Sequence, residues 1–233
     1  MRKYLLALTL LGLSGTTLAM GVDDDPLLTM VMIDRLEVME GENGNPLAAS
    51  GYAWLGTDRH KLWLKGEGEY HDGTTEEAEL QLLYSRAVTP FWDLQLGVRH
   101  DYRPLPEHDW LAIGVHGTAP YLIEVDAALF LDDEGHSAAR LDLEYEYMLT
   151  QRWVLTPELE ANLYGEEEPQ LGRGSGLSDL TLGLRLGYEI RREFTPYLGY
   201  SWSGLYGKSA DYARAAGGET SRGSWLLGIR AWF

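Results

Sequence analysis

The sequence predicts an all-β protein: a transmembrane antiparallel β-barrel of about 12 strands, with short periplasmic turns and longer extracellular loops. Three observations lead there. From Met30 onward the chain is a succession of segments in which apolar and polar residues alternate, the period of a strand with unlike faces. The connections sort by parity. The even-numbered turns (Thr57-Asp58, Thr89-Pro90, Ala119-Pro120, Thr150-Gln151, Arg191-Arg192) are all short, and the odd-numbered ones include every long loop. A soluble sandwich has no reason to sort its loops this way. Finally, the last strand sets Trp225, Leu227, Ile229, Ala231 and Phe233 against Gly228, Arg230 and Trp232, with an aromatic residue at the end. Outer-membrane barrels often close on such a strand, which resembles the signal read by the barrel-assembly machinery.

The segments before the barrel read as a leader and a spacer. Arg2 and Lys3 precede the apolar Leu5 to Leu13, and Thr17-Leu18-Ala19 resembles a small-residue cleavage site, so residues 1–19 are expected to be a signal peptide. Residues 20–29 form a short acidic segment containing Asp23, Asp24 and Asp25, and the barrel is expected over 30–233. No later window approaches the ~20 apolar residues of a spanning helix. The expected location is the outer membrane of a Gram-negative bacterium, with lipid as a partner.

Each strand then follows from its alternation. Met30 to Met39 is the first, Leu47 to Leu55 the second. In the third, Lys61, Lys65, Glu67 and Glu69 share a row opposite Leu62 and Leu64; in the fourth, Glu77, Glu79, Gln81 and Ser85 oppose Ala78, Leu80, Leu82 and Tyr84. Trp92 to Tyr102 places Asp93, Gln95, Arg99 and Asp101 on its polar row. A glycine-bearing strand, Leu111 to Gly117, and Tyr121 to Leu131 follow. Arg140, Asp142, Glu144 and Glu146 alternate most clearly of all, against Leu141, Leu143, Tyr145 and Tyr147. Trp153 to Tyr164, Asp179 to Ile190 and Tyr197 to Tyr206 complete the set before the terminal strand. Residues 165–178 and 207–223 read as the longest loops. Aromatic residues near strand ends, such as Trp92, Tyr102 and Trp153, suit the interfacial girdles.

The net charge of −17 leaves no basic face for nucleic acid, and the absence of cysteine removes every thiolate metal site. With polar rows turned inward, acids outnumber bases in the lumen, which favours a cation over an anion. Many of these acids are also expected to pair as a structural ion network.

The stretches Glu189-Ile-Arg-Arg-Glu-Phe-Thr-Pro-Tyr-Leu-Gly199, Ala210-Asp-Tyr-Ala-Arg-Ala-Ala-Gly-Gly-Glu-Thr220 and Gly228-Ile-Arg-Ala-Trp-Phe233 closely resemble the copper resistance protein B family. So do Met32-Ile-Asp-Arg-Leu-Glu37, Pro90-Phe-Trp-Asp-Leu94, Ala138-Ala-Arg-Leu141 and Gly174-Ser-Gly-Leu-Ser-Asp179. The resemblance implies an outer-membrane barrel of copper resistance that handles copper ions and works beside periplasmic copper-handling proteins. Whether copper crosses the barrel, and in which direction, stays open. Members often carry a Met- and His-rich segment ahead of the barrel; here Met20 and the Asp23–Asp25 run stand in that place.

The candidate copper ligands are thioethers, imidazoles and carboxylates. Met30, Met32 and Asp34 share one face of the first strand, and thioethers suit Cu(I). His71, His108 and His136 lie in outside connections beside acids and are expected to converge at the mouth as a Cu(II) site. His116 is the best-placed lumen imidazole. The competing readings are packing for the methionines, ordinary solvated loops for the histidines, and a passive or structural barrel for the whole. An outer-membrane lipid-modifying enzyme would need an oriented Ser–His pair. Ser85 and His100 are the nearest candidates, and parity puts them on opposite faces, so no enzyme is expected.

Overall fold

The structure, a computed structural model, describes residues 25–41 and 44–233. The expected leader and the acidic segment through Asp24 lie outside the described residues. The strands are β1 (Leu28–Met39), β2 (Leu47–Gly56), β3 (His60–His71), β4 (Thr74–Thr89), β5 (Trp92–Arg103), β6 (His108–Ala119) and β7 (Ile123–Leu131). They continue as β8 (Ser137–Tyr145), β9 (Tyr147–Met148), β10 (Trp153–Tyr164), β11 (Gly176–Tyr188), β12 (Phe194–Leu205) and β13 (Ser221–Trp232). β8 and β9 are one stave interrupted at Glu146, and both pair with β10, so the barrel has twelve staves. Neighbours pair antiparallel throughout, and β1 pairs with β13 to close the ring. Closure leaves no sheet edge, which is the condition for strands to cross lipid.

The apolar rows face outward. Leu62, Leu64, Leu82 and Leu96 are each between 46% and 50% exposed and belong to a belt that runs around the barrel. An apolar surface of that extent has lipid as its natural solvent.

Three features shape the lumen and its mouth. The β1–β2 register slips between Ile33 and Arg35, where Gly51 and Ser50 are their partners, so Asp34 is an extra residue in a bulge. Beyond the bulge the parity reverses. Arg35 and Glu37, which strict alternation from Met30 would send outward, point into the lumen, and Glu37 is buried. Secondly, part of the interior is apolar: Trp63, Leu83, Trp110, Ala112 and Phe130 bury one another, with Tyr52 and Trp54 packed alongside. Thirdly, the connection expected as a plain loop over 207–223 contains a helix, α1 (Gly207–Ala215), whose Ser209 and Ala210 are buried. Gly174 donates its N–H to Ser209 Oγ at 2.8 Å, and Ser209 shares a second 2.8 Å bond with Ser178, fastening α1 over the long-loop end.

Candidate metal site and charged lumen

Two of the three mouth histidines meet. One donor atom from each of His108, Asp132 and His136 lies within 4.8 Å of the other two. His108 opens β6, while Asp132 and His136 belong to the β7–β8 connection, so the group is assembled from separate connections by adjacent staves. Asp132 builds its own loop. Its Oδ1 accepts the backbone N–H of Glu134 at 3.0 Å and of His136 at 2.7 Å, and its Oδ2 accepts the His136 ring Nδ1–H at 2.6 Å. That bond orients the imidazole and leaves Nε2 as its free lone pair, the arrangement in which a carboxylate supports a ligating histidine. The hydrogen bond to Asp132 raises the His136 pKa. Burial works to raise the Asp132 pKa, but the hydrogen bonds from His136 outweigh it and hold the carboxyl below its ordinary value. Glu168, on the β10–β11 loop, places Oε1 3.5 Å from His108 Nε2. Donors bound to one ion at ~2.0–2.1 Å stand roughly 3–4 Å apart, so modest side-chain motion would bring this group onto a metal.

His71 does not join them. It closes the β3–β4 hairpin with its Nδ1 3.3 Å from Glu76 Oε1, which corrects the expected convergence of three histidines. The reason is angular: the β3–β4 hairpin and the start of β6 rise from different parts of the rim.

Below the mouth, alternating charges run the length of the lumen. Asp101 meets Arg99 at 2.6 Å, Arg99 meets Glu79 at 2.7 Å, and Arg140 grips both oxygens of Glu79 at 2.9 Å. Arg140 and Arg35 each lie 3.5 Å from Glu67. Towards the short-turn end, Arg230 holds Asp34 and Glu144 at 2.6 Å and Glu146 at 2.9 Å. Among the described residues Glu77, Glu124 and Asp142 find no basic partner, so acids remain in surplus. A cavity of about 750 Å³ occupies this half of the barrel, and its lining reaches Gln151, Arg192 and Trp232 at the short-turn end.

Met30, Met32, Asp34 and His116 all line that cavity. Asp34 shares their compartment, but its Oδ1 accepts two hydrogen bonds from Arg230, at 2.6 and 3.0 Å. His116 donates Nδ1–H to Asp126 at 3.2 Å, Asp126 also accepts from Lys65, and the imidazole lies 5.1 Å from the Trp63 ring. Ser85 is inside, donating to Asp93 at 3.0 Å, whereas His100 is on the outer face beside Asp109 at 2.6 Å.

The sequence profile described as Copper resistance protein B precursor (CopB) matches residues 27–233. The chain is 44% identical over 212 residues to Copper resistance protein B of Escherichia coli, covering 91% of this chain and 72% of that one. The chain belongs to the copper resistance protein B family. A homolog from Pseudomonas syringae pv. tomato is 41% identical over the same coverage. Among solved structures the NanC porin is similar, with a TM-score of 0.57 at 12% identity, covering 86% of this chain and 98% of that chain, a likeness of fold alone.

This member of the copper resistance protein B family therefore has an outer-membrane barrel fold with two separate groups of candidate ligands, one at the loop end and one in the lumen. The sequence places Asp132 among the acids beside His136 without marking its bond to that ring, and it does not point to Glu168. The Asp132-Asp-Glu-Gly-His136 run held a clue, because an Asp four residues before a His across a glycine turn favours such a loop bond. Nothing local marks Glu168, whose role arises from the way its loop folds back over the rim.

Proposed function

We propose that this protein captures divalent copper at its loop end and admits the cation to its acid-rich lumen. The observation that supports it most is the meeting of His108 and His136 with Asp132 and Glu168 in a chain of a copper-resistance family. Imidazole and carboxylate suit borderline divalent ions, and copper heads the affinity order for such donors. With short turns on the periplasmic side, this site faces the outside of the cell. Cation entry is then favoured by the unpaired lumen acids, and Met30 and Met32 offer softer donors nearer the inner exit, suited to Cu(I). We read the barrel as a binding and conducting protein, not an enzyme, since Ser85 and His100 stand on opposite faces.

The test is a Cu(II) titration of the refolded barrel carrying His108→Gln and His136→Gln together. Affinity is expected to fall by about tenfold or more, while His71→Gln leaves it unchanged. A double variant that folds normally and binds Cu(II) like the parent overturns the proposal.

A further inference from the structure

The β10–β11 loop carries a charge that the lumen network does not absorb. Glu168 and Arg173 face each other across the neck of a small hairpin, joined by Glu168 N–H to Arg173 O at 2.8 Å and Arg173 N–H to Glu168 O at 3.1 Å. Gly172, with φ +68°, supplies the left-handed turn that closes it. The two side chains point at different things. Glu168 Oε1 looks to His108 at 3.5 Å, and its Oε2 lies 3.7 Å from Arg173 Nη1. Arg173 reaches the top of the lumen, 4.0 Å from Asp101 and stacked 4.8 Å from the Tyr164 ring centre.

Arg173 is held more loosely than its counterparts. Arg35, Arg99, Arg140, Arg185 and Arg230 each donate at least one side-chain hydrogen bond inside the barrel. Among the described residues Arg173 donates no side-chain hydrogen bond: it has the ion contacts to Asp101 and Glu168 and the face of the Tyr164 ring, and its Nη1 is buried without a hydrogen-bond partner. A guanidinium that is 12% exposed and unbonded depends on nearby negative charge to stay there. Glu168 supplies half of that charge and is also the carboxylate beside the histidines.

From this sharing we propose that copper at the mouth and Arg173 in the lumen compete for Glu168, so that metal binding loosens the Arg173 plug. This rests on the mouth site proposed above. When a cation at His108 and His136 draws Glu168 onto itself, the carboxylate's charge is spent on the metal. Arg173 is left with Asp101, which Arg99 and Trp110 already engage at 2.6 and 3.0 Å. The hairpin loses its electrostatic tie to the lumen, and the top of the charge ladder opens to the next cation. Linkage makes the effect reciprocal: whatever removes Arg173 must tighten copper binding by the same factor.

The experiment uses the refolded full barrel in planar bilayers, with Cu(II) alone as probe, and a parallel Cu(II) titration. Each variant is checked for heat-modifiable migration. In the parent, Cu(II) is expected to raise cation conductance. In Arg173→Gln, Cu(II) affinity is expected to rise about fivefold or more, conductance to be high without copper, and copper to change it no further. Arg173→Lys keeps the charge and stays near the parent. If His108→Gln with His136→Gln abolishes binding but Arg173→Gln binds like the parent, the competition is refuted and the mouth site survives. If the histidine variant binds normally, the mouth site itself falls and the competition with it. Should Arg173→Gln fail to fold, Glu168→Gln tests the other side. Its affinity is expected to fall at least fivefold and its conductance to ignore copper; parental behaviour overturns the proposal.

Discussion

Gly228→Ala probes how the barrel wall near the closing seam is built. Gly228 lies opposite Glu37 of β1 on one side and Tyr197 of β12 on the other. With no side chain at 228, the Tyr197 ring lies flat across β13 and donates its hydroxyl to Glu37 at 2.8 Å. Arg185 grips the same Glu37 carboxylate, and its guanidinium lies 5.8 Å from the Tyr197 ring centre. A Cβ at 228 would stand 2.6 Å from three atoms of the Tyr197 ring and hydroxyl. The ring is 7% exposed and cannot swing away without leaving Glu37. Overpacking costs about 1–3 kcal/mol, and losing a hydrogen bond to a charged group about 1.5–3 kcal/mol. Because one movement causes both, we expect about 3 kcal/mol rather than their full sum. The assay is a guanidinium unfolding titration in lipid vesicles, run as a double-mutant cycle. In a Tyr197→Ala background the same Gly228→Ala change should cost under about 0.5 kcal/mol, since the obstacle is gone. A Gly228→Ala barrel as stable as the parent, or an equal cost in both backgrounds, would refute the reasoning.

Other outcomes follow from the same contacts. Asp101→Ala leaves the buried Trp110 indole N–H without a partner and Arg99 with Glu79 as its remaining carboxylate, and is expected to cost about 1–3 kcal/mol in the same titration. Replacing Met30 and Met32 by Leu keeps volume and removes sulfur, so the barrel should fold normally while Cu(I) affinity drops; unchanged Cu(I) binding would return both residues to packing. For pH, the raised His136 pKa means that its link to Asp132 stabilises the loop below that pKa and is lost as pH rises through it. The lowered Asp132 pKa carries the same link down in acid until that carboxylate protonates. Copper has the opposite preference, because it needs the neutral imidazole. Cu(II) affinity should therefore fall on acidification with a midpoint above that of an ordinary histidine, and a pH-independent titration would contradict the assigned site.

The sequence by itself determined the architecture. Period-two alternation decides which face of each stave meets lipid, and parity of loop length decides which end carries the long loops, because both are local properties of the chain. It also put Met30 and Met32 on one face of the first strand, His116 on a polar row, and His108 and His136 in outside connections. Only the tertiary structure decided the rest. One bulge at Asp34 reverses parity within β1, and no pattern read from a single strand shows that Arg35 and Glu37 then turn inward. The Glu37–Arg185 pair spans 148 residues and exists because the ring closes β1 onto β13. His71, His108 and His136 look alike in sequence, each beside an acid. Their separation into a lone hairpin histidine and a joined pair depends on where the staves stand around the rim. Glu168 and Arg173 acquired their place in the same way, from a loop folded back over the mouth, a matter of three-dimensional closure that local patterning does not encode.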